Sequence, residues 1–159
     1  MKRLLAAAFL LMFATLAVAQ ATGVTVVRPD GQTQVFTAEA LHALPRETVT
    51  TTDHDKPAIF SGSDLREVLR AAGVEPLERL RGPQMRRVVL VQAADGYGVV
   101  FAFAELDPSL GDRRVHLVDR LGDKPLGATE GPWRLVVPRD ARGARWVRQV
   151  TRISVIDLP

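Results

Sequence analysis

The stretch Phe60-Ser61-Gly62-Ser63-Asp64-Leu65-Arg66-Glu67-Val68-Leu69-Arg70-Ala71-Ala72-Gly73 contains the clearest helix of the chain. Ser63 is a good N-cap, and Asp64 and Glu67 put negative charge near the positive end of the helix dipole. Leu65, Val68, Leu69 and Ala72 recur at helical spacing, Arg66 and Arg70 face away, and Gly73 offers a left-handed exit. Immediately upstream, Glu47 to Thr52 is a strand candidate rich in Thr and Val, and the polar segment Asp53 to Pro57 reads as a loop. Earlier still, β-prone runs at Val24–Arg28 and Thr33–Phe36 flank the turn-forming Pro29-Asp30-Gly31, the pattern of a hairpin. Thr37 can cap a short helix over Ala38–Leu44, with Phe36 placed to staple against Leu41 and Pro45 to stop it.

Downstream, Pro76 to Pro83 reads as a weak, Arg-rich turn or short helix. Val88–Ala93 and Tyr97–Phe103 are strands separated by Asp95-Gly96, a favoured tight-turn pair. Glu105–Leu110 is a turn or a single helical turn, and Val115–Val118 is another strand. Arg120 to Pro132 carries three Gly and two Pro and reads as loop. Arg134–Val137 and Trp146–Ile156 supply the last strands. Hairpins mixed with isolated helices, without repeats or an internal linker, predict an α+β fold.

Met1-Lys2-Arg3 precedes an uncharged, mostly apolar stretch from Leu4 to Gln20, closed by Ala17-Val18-Ala19 and Ala19-Gln20-Ala21. A positive start, an apolar segment and small-x-small sites predict a signal peptide over residues 1–21, cleaved after 19 or 21. The expectation is a periplasmic or secreted protein with no membrane insertion after cleavage. Of 159 residues, 138 to 140 would remain, and residues 22–159 are expected to form a single domain.

The formal net charge of +3 includes Lys2 and Arg3; without them 19 basic residues face 18 acidic ones. That near balance, with a single Tyr and no aromatic platform among the basic residues, excludes a nucleic-acid binder. The chain has no cysteine, which rules out disulfides, thiolate ligands, cysteine nucleophiles and a lipidated N-terminus.

Six arginines lie at 134, 139, 142, 145, 148 and 152, against the single acid Asp140. Guanidinium groups suit phosphate, sulfate or carboxylate, so this segment is either an anion-binding face or a solvated one. Strand alternation would put Trp146, Arg148 and Arg152 on one face and Arg145, Val147 and Gln149 on the other, unless a bulge intervenes. Asp53-His54-Asp55 has the composition of a metal site, but adjacent residues seldom converge on one ion, so a polar loop is the plainer reading and no metal site is assigned. Tyr97 could present its hydroxyl to a ligand, although a packing role beside the tight turn explains it as well. Among the glycines no phosphate-binding fingerprint occurs, and the chain lacks a nucleophile elbow or a zinc-protease pair, so no catalytic residue is assigned.

The ordered set Phe60 to Leu69 with Gly73, Ala94-Asp95-Gly96-Tyr97, Lys124-Pro125-Leu126, Gly131-Pro132-Trp133-Arg134-Leu135-Val136-Val137-Pro138 and Gly143-Ala144-Arg145-Trp146-Val147-Arg148 resembles the molybdopterin-binding domain of the sulfite-oxidase superfamily. The likeness runs from about Thr25 to Ile156 and implies a mixed α/β fold. It also implies a pterin-dithiolene molybdenum cofactor, ligated in that family by a cysteine lying before the helix. Here that neighbourhood reads Thr50-Thr51-Thr52-Asp53-His54-Asp55, with no cysteine. By the resemblance, Arg134, Arg145 and Arg148 are the cofactor-binding candidates, and Arg148 matches a basic position that grasps the cofactor. Thr52, Asp53, His54, Asp55 and Tyr97 form the candidate polar site.

A fold does not carry its chemistry with it. The expectation is a noncatalytic extracytoplasmic binding or accessory module on this fold, with no resident cofactor, molybdopterin being the one the resemblance allows. Its partner would be an anionic small molecule or another exported or membrane protein. The alternative is a molybdenum-dependent oxidoreductase with a non-cysteine metal environment, in which Thr52, Asp53 and Arg148 would be the residues to test.

Overall fold

The protein is described from a computed structural model covering residues 23–75 and 77–159. The predicted leader lies outside the described residues. Ten strands run in chain order: β1 (Val24–Val27), β2 (Thr33–Phe36), β3 (Glu47–Asp53), β4 (Lys56–Asp64), β5 (Arg87–Ala93), β6 (Gly98–Ala102), β7 (His116–Leu121), β8 (Lys124–Pro125), β9 (Arg134–Val136) and β10 (Val150–Asp157). Among the described residues three short α-helices accompany them: α1 (Ala38–His42), α2 (Leu65–Ala71) and α3 (Phe103–Leu106). Two mixed-length sheets with few helices make an α+β fold, as the sequence predicts.

The first sheet has the order β2-β1-β10-β5-β6; β1 and β10 run parallel and the other neighbours antiparallel. The second has the order β3-β4-β7-β8, with β9 also paired to β7. Apolar residues alternate along the first sheet's strands, so that Val24, Val26, Val89, Val91, Phe101, Ile153 and Val155 point inward. They join Val49, Phe60, Leu117 and Leu135 of the second sheet, and Leu65, Val68 and Leu69 of α2, in one buried core.

Several expectations change at the motif that opened the sequence reading. Asp53 to Pro57 is not a loop: β3 and β4 form a hairpin turning on His54 and Asp55 alone, both with left-handed angles (φ 49° and 64°). Because these two residues accept such angles, the pairing continues to Asp53 and Lys56. The helix cap is Asp64 rather than Ser63, because Ser63 is still paired with Leu117 in β4 while the Asp64 carboxylate accepts the Arg66 amide at 2.8 Å. Arg66 does not face away; it is buried against Asp64. Lys124–Pro125 and the end of β7 convert part of the expected Arg120–Pro132 loop into a tight antiparallel pair.

The last segment is corrected most. Trp146 does not begin a strand: residues 143–145 form a 3-10 turn, Gln149 has φ 49°, and β10 starts at Val150 with a register shift before Arg152. The alternation assumed for Trp146, Arg148 and Arg152 therefore does not hold, since the backbone turns between them.

Gly62 sits where β4 shifts register against β7. A Cβ there would overlap the Leu117 carbonyl oxygen and stand 2.5 Å from the Val118 Cα. Backbone cannot swing aside as a side-chain tip can, so Gly62→Ala is expected to destabilise the fold by about 1–3 kcal/mol, read as a lower urea midpoint.

Candidate functional site

A cleft of about 970 Å³ opens where four chain segments meet. One wall is the end of β3 and its turn, with Thr50, Thr51, Thr52, Asp53, His54 and Asp55. The β5–β6 turn contributes Asp95 and Tyr97, and Thr129 comes from the segment after β8. The remaining wall comes from β9 and the loop that leads to β10: Arg134, Asp140, Arg142, Trp146, Arg148 and Gln149. The structure thus brings Thr52, Asp53, His54, Asp55, Tyr97, Arg134 and Arg148 together around one space. Arg145 is beside it but not among the lining residues.

Arg134 is 2 % exposed, and its guanidinium meets Asp53 Oδ2 at 3.0 Å and Glu130 Oε1 at 2.9 Å. It also lies over the rings of Phe60 and Trp146, 5.2 and 5.5 Å from their centroids. Its Nε is buried without a hydrogen-bond partner among the described residues. Asp53 is therefore committed to Arg134, while His54 Nε2 lies 3.7 Å from its other oxygen.

Arg145 is held by Asp140 at 2.7 and 2.8 Å, by Glu105 at 3.4 Å and by the Phe101 ring at 4.7 Å. Arg113 meets the same two carboxylates at 3.0 Å, closing a four-member network. This network packs the loop against α3 and leaves Arg145 little to offer a ligand. Arg148 is half exposed and reaches Glu130 only at 3.6 Å. Arg142 is exposed and, among the described residues, has no ion pair or hydrogen bond. The Tyr97 hydroxyl donates to the Ala144 carbonyl at 2.6 Å, tying the β5–β6 turn to the Arg142 loop at the edge of the cleft.

Sequence reasoning missed Glu130, for which the i,i+4 spacing with Arg134 was the available signal. It grouped Arg142 with the other arginines of a possible anion-binding face without singling it out, since the series looks alike until Asp140 selects Arg145 and Arg113.

A second ionic cluster lies elsewhere, around His116 of β7. This imidazole is 4 % exposed, its Nδ1 lacks a hydrogen bond, and Glu47 is 3.7 Å away. Burial holds its pKa below the ordinary 6.5, with Arg114 and Arg66 acting in the same direction and Asp64 and Glu47 opposing. As pH falls the unfolded chain takes up this proton first. The stability His116 contributes is therefore complete above pH 6.5 and is lost as pH falls from there towards the lowered folded value. Urea midpoints should drop between pH about 7.5 and about 5.5, and the drop should shrink in His116→Gln.

The cleft offers no thiolate donor. No thiolate exists in the chain, and among the described residues no group of three or more His, Asp or Glu gathers to hold a metal ion. A family model described as the oxidoreductase molybdopterin binding domain matches residues 56–159. No curated protein matches the chain. Among solved structures, the sulfane dehydrogenase SoxCD from Paracoccus pantotrophus is similar, with a TM-score of 0.66 and 22% identity over 86% of this chain. The chain spans 38% of the length of that one, and at this identity the likeness is one of fold.

Proposed function

Because the chain belongs to the oxidoreductase molybdopterin-binding domain family, and yet carries no cysteine, we propose that it is a noncatalytic binding or accessory module acting beyond the cytoplasmic membrane. The observation that carries this reading is the division of charge around the cleft. Arg134 and Arg145 are consumed by carboxylates, whereas among the described residues Arg142 has no partner and Arg148 only a long one. Two available guanidinium groups beside an open, polar-lined space suit a ligand with an anionic group, while nothing there suits redox chemistry at a thiolate-held metal. The leader-like first 21 residues support export, and the exported ligand or partner follows from that compartment.

Family membership makes molybdopterin the cofactor to test. Protein purified from its native compartment, analysed for metals and for small molecules released on denaturation, is expected to carry molybdenum far below one atom per chain. Stoichiometric molybdenum, lost together with substrate turnover in Thr52→Ala or Asp53→Ala, would instead establish the oxidoreductase reading. Inorganic phosphate titrated by calorimetry at low salt should bind to the wild type and roughly tenfold more weakly to Arg142→Ala, the loss of about one charge-assisted contact.

A further inference from the structure

The cleft carries both signs of charge, and the signs do not cancel in place. Four carboxylates line it, at Asp53, Asp55, Asp95 and Asp140, with three guanidinium groups at Arg134, Arg142 and Arg148. Asp53 is bound to Arg134, and Asp140 to Arg145 and Arg113. On the anionic side Asp55 remains: exposed, at the tip of the β3–β4 turn, with neither ion pair nor hydrogen bond among the described residues. Asp95, at the tip of the β5–β6 turn, spends one oxygen on the Tyr97 amide at 2.9 Å and keeps the other. On the cationic side Arg142 has no partner among the described residues, and Arg148 lies 3.6 Å from Glu130.

We infer that the ligand of this cleft is dipolar, a small molecule with an anionic group for Arg142 and Arg148 and a separate cationic group for Asp55 and Asp95. This rests on the cleft being a binding site, as proposed above, and narrows the class of what it binds. A compact oxyanion drawn to Arg142 remains in the repulsive field of two uncompensated carboxylates, within a space small enough that salt screens them incompletely at about 8 Å Debye length. A ligand bearing both charges turns that repulsion into a second attraction, so that a simple anion binds more weakly than a dipolar one. The cleft volume lies within the range of sites that enclose ligands larger than a single oxyanion.

Glycine peptides with free termini are suitable probes, because each end can be neutralised separately. The full exported protein is titrated by calorimetry at low salt with di- to pentaglycine, with the N-acetylated and C-amidated forms of the tightest binder, and with inorganic phosphate. The expected result is that the free peptide binds and that each cap weakens it about tenfold, one charged contact in each case. Asp55→Asn should then cost the free peptide as much as acetylation does, and Arg142→Gln as much as amidation. Both residues are exposed and without partners among the described residues, and Asn tolerates the left-handed angle at position 55, so neither change threatens the fold.

The two readings fail differently. If phosphate or the acetylated peptide binds as well as the free peptide, and Asp55→Asn tightens it, the cleft is a plain anion site and the dipolar inference is wrong. If neither phosphate nor any peptide binds, the inference falls together with the binding-module reading.

Discussion

Arg134→Ala is expected to be the most damaging single substitution in the cleft, lowering stability by about 3–5 kcal/mol. The guanidinium is almost wholly enclosed, and its partners Asp53 and Glu130 have side chains only 19 % and 23 % exposed. Removing the cation leaves Asp53 without a guanidinium partner and Glu130 with only Arg148 at 3.6 Å, which costs more than the pair contributes over an apolar replacement. The rings of Phe60 and Trp146 would also lose the flat cation lying across them. Arg134→Lys should recover only part of the loss, because a single ammonium cannot present the planar fork that meets two carboxylates at once. The check is urea unfolding, with tryptophan fluorescence as a local signal, since Trp146 is one of the two tryptophans of the chain. A variant as stable as the wild type would mean that the floor of the cleft does not depend on this ion pair.

Asp64→Ala should cost a comparable amount, about 3–5 kcal/mol. Asp64 joins β4 to α2, is 3 % exposed, accepts from the Arg66 amide at 2.8 Å and the Arg66 guanidinium at 2.8 Å, and makes an ion pair with Arg114, whose Nε lies 2.7 Å away. Without it α2 loses its cap, and Arg66, 8 % exposed, keeps only Asp112 at 3.0 Å and a long contact to the Leu106 carbonyl. Asp64→Asn separates the two effects. An amide oxygen still caps the helix, which should return about 1 kcal/mol, while the charge pairing stays lost. Equal unfolding midpoints for the Ala and Asn variants would show that the cap contributes nothing.

What could be read locally was read. The β1–β2 hairpin, the Thr37 cap of α1, whose side chain accepts from the Ala40 amide at 3.1 Å, and the tight Asp95-Gly96 turn all follow from neighbours in sequence. So does the α2 helix, to within one residue of its cap. The resemblance to a molybdopterin-binding domain rested on short motifs in order, and family match and fold agree with it. The site was legible as a set of residues rather than as an arrangement. Asp53, Arg134 and Arg148 could be named, but not that Asp53 and Arg134 neutralise each other across 81 positions.

The sequence by itself determined the α+β class, the local turns and caps, and the absence of any thiolate, because these depend on residue identity and on interactions a few positions long. Only the tertiary structure decided which arginines are spent and which are free, that Arg66 is buried, and that the last strand begins at Val150 rather than Trp146. Those outcomes depend on which carboxylates distant strands bring within about 3 Å, and on backbone angles such as those of Gln149 that local pattern does not dictate.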